Sequence, residues 1–139
     1  MRVLEVMSTP AITVSPDDTL EDAIGAMLAN RVGSVVVIDA GVIGIFTRSD
    51  VLRVLYERPR RLGALSVREG MSEGVVTIAP DSALETAVRM MHEHEIKKLP
   101  VIDDMDLIGI ITATDIARQL PARVQEVRDT VERKDRWTA

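Results

Sequence analysis

The sequence contains no cysteine, which excludes disulfides and thiolate metal sites and fits a reducing compartment. Aromatic residues are nearly missing, with only Phe46, Tyr56 and Trp137 present. A core in this chain must therefore be built from aliphatic side chains and methionine. The two histidines, His92 and His94, stand at i, i+2 and point to different sides of a helix, so no metal pair is expected. No apolar run reaches the roughly 20 residues of a membrane span. The most apolar stretch, residues 25–46, is interrupted by Asn30, Arg31, Ser34 and Asp39. The first residues, Met1-Arg2-Val3-Leu4-Glu5, lack the apolar centre of a signal peptide. A soluble, cytoplasmic protein is the expectation. A net basic surface is also lacking: the charge of -5 argues against nonspecific nucleic-acid binding.

What the chain does have is 46% apolar residues in 139, enough for one compact domain or two small ones sharing a core. It also has a repeat. Met7-Ser8-Thr9-Pro10-Ala11-Ile12-Thr13-Val14-Ser15-Pro16-Asp17 recurs 64 residues later as Met71-Ser72-Glu73-Gly74-Val75-Val76-Thr77-Ile78-Ala79-Pro80-Asp81. The register holds through Leu20-Glu21 on Leu84-Glu85, Met27 on Met91 and Val37-Ile38-Asp39 on Val101-Ile102-Asp103. One extra turn residue follows, after which Val42-Ile43-Gly44-Ile45-Phe46-Thr47 matches Leu107-Ile108-Gly109-Ile110-Ile111-Thr112 and Asp50 matches Asp115.

Each copy reads as a βαββα unit. Residues 11–14 form a short β-rich run ended by Pro16. A helix opens at Thr19-Leu20-Glu21-Asp22, and Ser82-Ala83-Leu84-Glu85 presents a full capping-box pattern in the second copy. Leu20, Ala23, Ile24, Met27 and Leu28 follow the spacing of one buried helix face, repeated by Leu84, Ala87, Val88 and Met91. Two β-branched runs, 35–38 and 42–46, flank the turn Asp39-Ala40-Gly41 and predict a hairpin. Second helices are expected over about 49–56 and 114–120, stopped near Pro59 and Pro121. The fold class expected is α/β (α+β), with two such repeats packed as a pseudo-twofold pair around a shared core. Repeat one spans 1–58, a linker 59–64, repeat two 65–120, and a tail 121–139.

The most distinctive pattern is apolar-apolar-Gly-apolar-apolar-Thr-x-x-Asp, at residues 42–50 and 107–115. It sets Thr47 and Asp50, and Thr112 and Asp115, where a strand hands over to a helix. Helix N-termini attract anions, and a hydroxyl there adds a donor. A carboxylate one turn in repels phosphate but accepts hydrogen bonds from vicinal hydroxyls such as those of a ribose. Thr-x-x-Asp is equally an ordinary capping box, worth about 1 kcal/mol without any ligand. Two copies after the same Gly-centred strand favour the ligand role, and the two roles are compatible.

Over residues 3–120 the chain resembles the tandem CBS domains, named for cystathionine β-synthase. The resemblance rests on Met7-Ser8 and Met71-Ser72, on Thr13 and Thr77, and on Lys98-Leu99-Pro100-Val101-Ile102-Asp103 leading into Gly109 through Asp115. It implies clefts between two repeats that bind AMP, ADP, ATP or S-adenosylmethionine. By the same resemblance Asp50 and Asp115 are ribose acceptors, and Thr47 and Thr112 lie on the phosphate side. Ser49 and Thr114 are auxiliary hydroxyls, and Thr13 and Thr77 flank adenine. Lys97 and Lys98 match a basic position of the family, or are solvated charge complementing a helix end. Repeat one has Gly33 and Ser34 there, so the two clefts should differ.

Nothing in the chain looks built for catalysis: no Ser/His/Asp arrangement, Walker-type loop or paired carboxylates with a base is apparent, and no catalytic cofactor is implied. Leu120, Val124, Val127 and Val131 make a thin apolar stripe in the tail that needs a partner surface, with Trp137 as an anchor. That surface is this module, a dimer mate or a regulated protein. The expectation is a homodimeric regulatory sensor of an adenosine ligand; the alternative is a ligand-free dimerisation scaffold acting through its tail.

Overall fold

The computed structural model describes residues 1–119, and the tail stripe and Trp137 lie outside them. In chain order the elements are α1 (Val3–Val6), β1 (Thr13–Val14), α2 (Leu20–Asn30), β2 (Ser34–Ile38), β3 (Val42–Thr47), α3 (Arg48–Glu57), β4 (Ser72–Glu73), α4 (Leu84–His94), β5 (Lys98–Asp103), β6 (Asp106–Thr112) and α5 (Ala113–Ala117). Short 3₁₀ turns at Leu62–Ala64 and Val67–Glu69 lie between α3 and β4.

The chain forms two compact units that do not follow the order of the repeats. Residues 12–75 make one; residues 1–11 together with 76–119 make the other. The lead-in of each sequence repeat therefore packs with the body of the other repeat. In the 12–75 unit the order is β1-β2-β3-β4, with β1 parallel to β2 and the rest antiparallel. In the other unit β5 and β6 form the hairpin, and single bridges supply its neighbours: Ile78 parallel to Val101, and Ser8 antiparallel to Ile110. The hairpins come out as expected because β-branched runs flank turn residues. Ala40 and Asp104 take left-handed conformations at the two turns, φ 53° and 61°.

The exchange of lead-ins has a direct physical basis. In the 12–75 unit Val67 N donates to Asp18 O (2.8 Å) and Leu20 N to Leu65 O (2.9 Å). At the equivalent places Val3 N donates to Ser82 O and Leu84 N to Met1 O, both at 2.9 Å. The same backbone clamp thus closes the start of α2 and of α4. It also corrects one expectation: Ser82–Glu85 does not form a capping box, because the residue at the N-cap of α4 is Ala83, which has no side-chain acceptor. Thr19 and Asp22 do form the box on α2.

Buried residues gather into two clusters, one in each unit. Val14, Leu20, Ala23, Met27, Val35, Val37, Phe46, Val54, Leu65 and Val67 make the first. Val3, Ile78, Ala87, Met91, Leu99, Val101 and Ile111 make the second. The lead-in residues Val67 and Val3, both 0% exposed, complete the burial that each unit lacks from its repeat body alone. The buried stripe of α2 is narrower than its spacing implied. Leu20, Ala23 and Met27 are inside, while Leu28 is 74% exposed, because it is rotated about 100° past Met27 around the helix. Val88 on α4 is likewise half exposed.

Candidate functional site

Strand register separates each sheet into a core face and an opposite face. In the 12–75 unit Val14, Val35, Val37 and Phe46 face the first cluster. Thr13 pairs with Val36, Val36 with Ile45, and Ser34 with Thr47, so these five residues share the other face. In the second unit Lys98 pairs with Thr112 and Pro100 with Ile110, and Thr77 precedes the core-facing Ile78. Thr77, Lys98, Pro100, Ile110 and Thr112 therefore share the equivalent face. Every strand residue singled out in the sequence except Lys97, which just precedes β5, falls on these two faces. Thr13, Thr77, Ser49 and Lys97 are exposed, and Thr47, Thr112 and Lys98 are half-buried.

At the end of each face a strand turns into a helix, and the carboxylates sit there. Asp50 and Asp115 are each only 7% exposed. Asp50 N donates to Thr47 Oγ1 (3.2 Å), and Asp50 Oδ2 accepts from Thr47 N (2.9 Å) and Thr47 Oγ1 (3.1 Å). Asp115 N donates to Thr112 Oγ1 (3.1 Å), and Asp115 Oδ2 accepts from Thr112 N (3.0 Å). Both Thr-x-x-Asp segments are thus true capping boxes, and one oxygen of each carboxylate is committed to the helix start. The other oxygen, Oδ1, faces a different partner in each unit. Arg53 Nη2 donates to Asp50 Oδ1 at 3.1 Å, and Ser8 Oγ donates to Asp115 Oδ1 at 3.0 Å. The bond to Asp50 holds the Arg53 guanidinium even further into its charged range than usual.

Neither Ser8 nor Arg53 was legible as a site residue. Ser8 stands 107 residues from Asp115 and reaches it only through the exchanged lead-in, where it bridges Ile110 on the same face as Thr112. Arg53 is visible at i+3 from Asp50 on a helix, a spacing that usually marks a surface pair. A third feature that escaped is Arg48. Its guanidinium lies where a Cβ of Gly33 would stand, and its amide donates to Gly33 O at 3.2 Å. In the other repeat the sizes are reversed: Lys97 stands for Gly33 and Ala113 for Arg48, with Ala113 N donating to Lys97 O at 2.8 Å. Each junction so keeps a cationic side chain, supplied from opposite strand ends. Next to Asp115, Thr114 is 6% exposed and its Oγ1 has no hydrogen-bond partner among the described residues. His92 and His94 are both exposed at the end of α4.

Residues 3–57 and 64–122 each match the family model for the CBS domain. The chain belongs to the CBS domain family. The CBS domain-containing protein YhcV of Bacillus subtilis is 36% identical over 117 residues, which cover 83% of this chain and 82% of YhcV. Inosine-5'-monophosphate dehydrogenase of Methanocaldococcus jannaschii is 34% identical over 83% of this chain but only 23% of the enzyme. That similarity lies in the CBS repeats and leaves most of the dehydrogenase unmatched. The CBS domain pair of protein MJ0100, solved in complex with 5'-methylthioadenosine and S-adenosyl-L-methionine, superposes with a TM-score of 0.77. It covers 85% of this chain and 94% of its own at 24% identity, and at that distance it establishes the CBS fold alone. Among the described residues no helix is long and apolar enough to cross a membrane.

Proposed function

We propose that this CBS pair is a regulatory module, without catalytic activity of its own, that binds an adenosine-containing ligand at its strand-to-helix junctions. AMP, ADP, ATP and S-adenosylmethionine are the candidate class. The observation that supports the reading most is the buried, unpartnered Thr114 hydroxyl, next in sequence to the buried Asp115 in the helix that follows the face holding Thr112, Thr77 and Lys98. A buried donor without a partner is costly, and a ligand phosphate or sugar oxygen would supply one. Asp115 and Asp50 accept the ribose hydroxyls, and Thr112 and Thr47 serve the phosphate side with Thr114 and Ser49. Thr77 and Thr13 flank the base. Lys98, paired in register with Thr112, and Lys97 before it place positive charge at the phosphate end. The adenosine compounds bound by MJ0100 are of the same class.

One observation favours a second reading, a structural scaffold: both carboxylates already have a side-chain partner on Oδ1. A thermal-shift panel of AMP, ADP, ATP, S-adenosylmethionine and NADH separates the two, because a ligand that binds only the folded state raises the melting temperature. A shift with at least one adenosine compound is expected, and none at millimolar concentration would leave the scaffold. In either role the module is proposed to work as a homodimer in the cytoplasm, acting on a regulated protein, without membrane or nucleic-acid contact. The exposed Leu52 and Tyr56 on α3 support the dimer.

A further inference from the structure

Arg53 does more than extend an ion pair. Its Nη2 donates to two acceptors at once: Asp50 Oδ1 at 3.1 Å and the carbonyl of Gly70 at 2.8 Å. Gly70 ends the 3₁₀ turn Val67–Glu69, whose Val67 completes the core of the 12–75 unit. Gly70 is itself closely packed, since a Cβ there would run into Val54 of α3 and Phe46 of β3. The guanidinium therefore ties the carboxylate at the start of α3 to the backbone of the lead-in. The opposite oxygen of Asp50 is filled by Thr47 N and Oγ1. Because the Asp50 side chain is only 10% exposed, a sugar diol approaching Oδ1 competes there with Arg53. The exchange is feasible because Arg53 is half exposed, its side chain at 50% against 10% for Asp50.

We propose that Arg53 is a gate on the Asp50 junction: it competes with the ribose for Asp50 Oδ1, and ligand binding there frees the Gly70 carbonyl. The gate rests on the adenosine reading of the junctions. Binding at Asp50 then loosens the Val67–Met71 segment, giving the module a conformational output.

The test uses adenosine, which is uncharged, so that removing the arginine does not change a long-range attraction to phosphate. Titration calorimetry compares the wild type, R53M, R53M/D50N and R53M/D115N. R53M is expected to tighten adenosine binding at one site by about fivefold, the size of a half-exposed ion pair. D50N should cancel that gain and D115N should leave it. Binding that is unchanged or weaker in R53M, or a gain that survives D50N, overturns the gate. Amide exchange of residues 67–71 without ligand gives the independent readout. Faster exchange in R53M than in the wild type is expected, and equal exchange overturns the tie to Gly70. If neither protein binds adenosine or AMP, the adenosine reading itself falls and the gate with it, while faster exchange would still identify a purely structural tie.

Discussion

Thr114 and Asp115 are neighbours in the chain but opposites in their bonding. Asp115 is anchored by Thr112 and Ser8, while the Thr114 hydroxyl is buried with no partner among the described residues. An unsatisfied buried hydroxyl destabilises a fold by about 1–3 kcal/mol. Thr114→Val keeps the shape and removes that penalty, so its melting temperature should hold or rise while AMP affinity falls by about tenfold. Calorimetric scanning and a parallel AMP titration check both halves; a lower melting temperature with unchanged affinity would make Thr114 a packing residue. At this scale the sequence reveals what is local. Thr47 with Asp50 and Thr112 with Asp115 are three residues apart and repeat, so their pattern is visible without a fold. Ser8 is not, since its partner is reached through a strand bridge to Ile110, and Arg53 gains its meaning only from the Gly70 carbonyl.

The central glycine of each Gly-centred strand is explained by the element beside it. A Cβ at Gly109 would stand 2.8 Å from Ser8 O and 2.9 Å from Met7 Sδ; at Gly44 it would stand 2.9 Å from Ser72 O and 3.0 Å from Met71 Sδ. Backbone on one side leaves no room to yield. Gly109→Ala and Gly44→Ala should each lower stability by about 1–3 kcal/mol, read as a shift in the urea midpoint. The segment that carries Met71 is pinned by Glu69. Its carboxylate accepts from Ser66 N at 2.8 Å, Arg60 at 2.7 Å and Arg58 at 2.8 Å. The Ser66 amide above all, and then the two arginines, hold its pKa at about 2 against an ordinary 4.5. A depressed carboxylate pKa stabilises the fold above pH 4.5 and loses that effect as pH falls toward 2. Urea midpoints measured across that window should fall less steeply in E69Q than in the wild type. Helices and hairpins were legible because period and turn residues are local signals. The missing cap at Ala83 was not, because the start of α4 is fixed by a backbone bond to the Met1 carbonyl, far away in sequence, and its N-cap falls one residue past Ser82. Nor was the outward turn of Leu28, whose apolar character matched the stripe while its angle did not.

For the molecule as a whole, the repeat announces two units but conceals which segments build them. The lead-in residues Val3 and Val67 each complete the cluster of the other repeat's body, and a 64-residue offset is blind to that exchange. The exposed apolar residues bear on assembly. Leu52 and Tyr56, 69% and 89% exposed, lie four apart on α3 and form a face suited to a second copy. The double substitution L52E/Y56E should convert the proposed dimer to a monomer in sedimentation equilibrium with little change in melting temperature per chain; a dimeric mass in both proteins would place the contact elsewhere, and a monomeric mass in both would refute the dimer. The ligand claim has the most direct test. Titration of the intact chain with AMP and with 2',3'-dideoxy-AMP isolates the two hydroxyls that Asp115 and Asp50 are proposed to hold. Loss of the diol should weaken binding by about ten- to a hundredfold, the worth of hydrogen bonds to a charged acceptor. Equal affinity for the two nucleotides, or binding of neither, would contradict it.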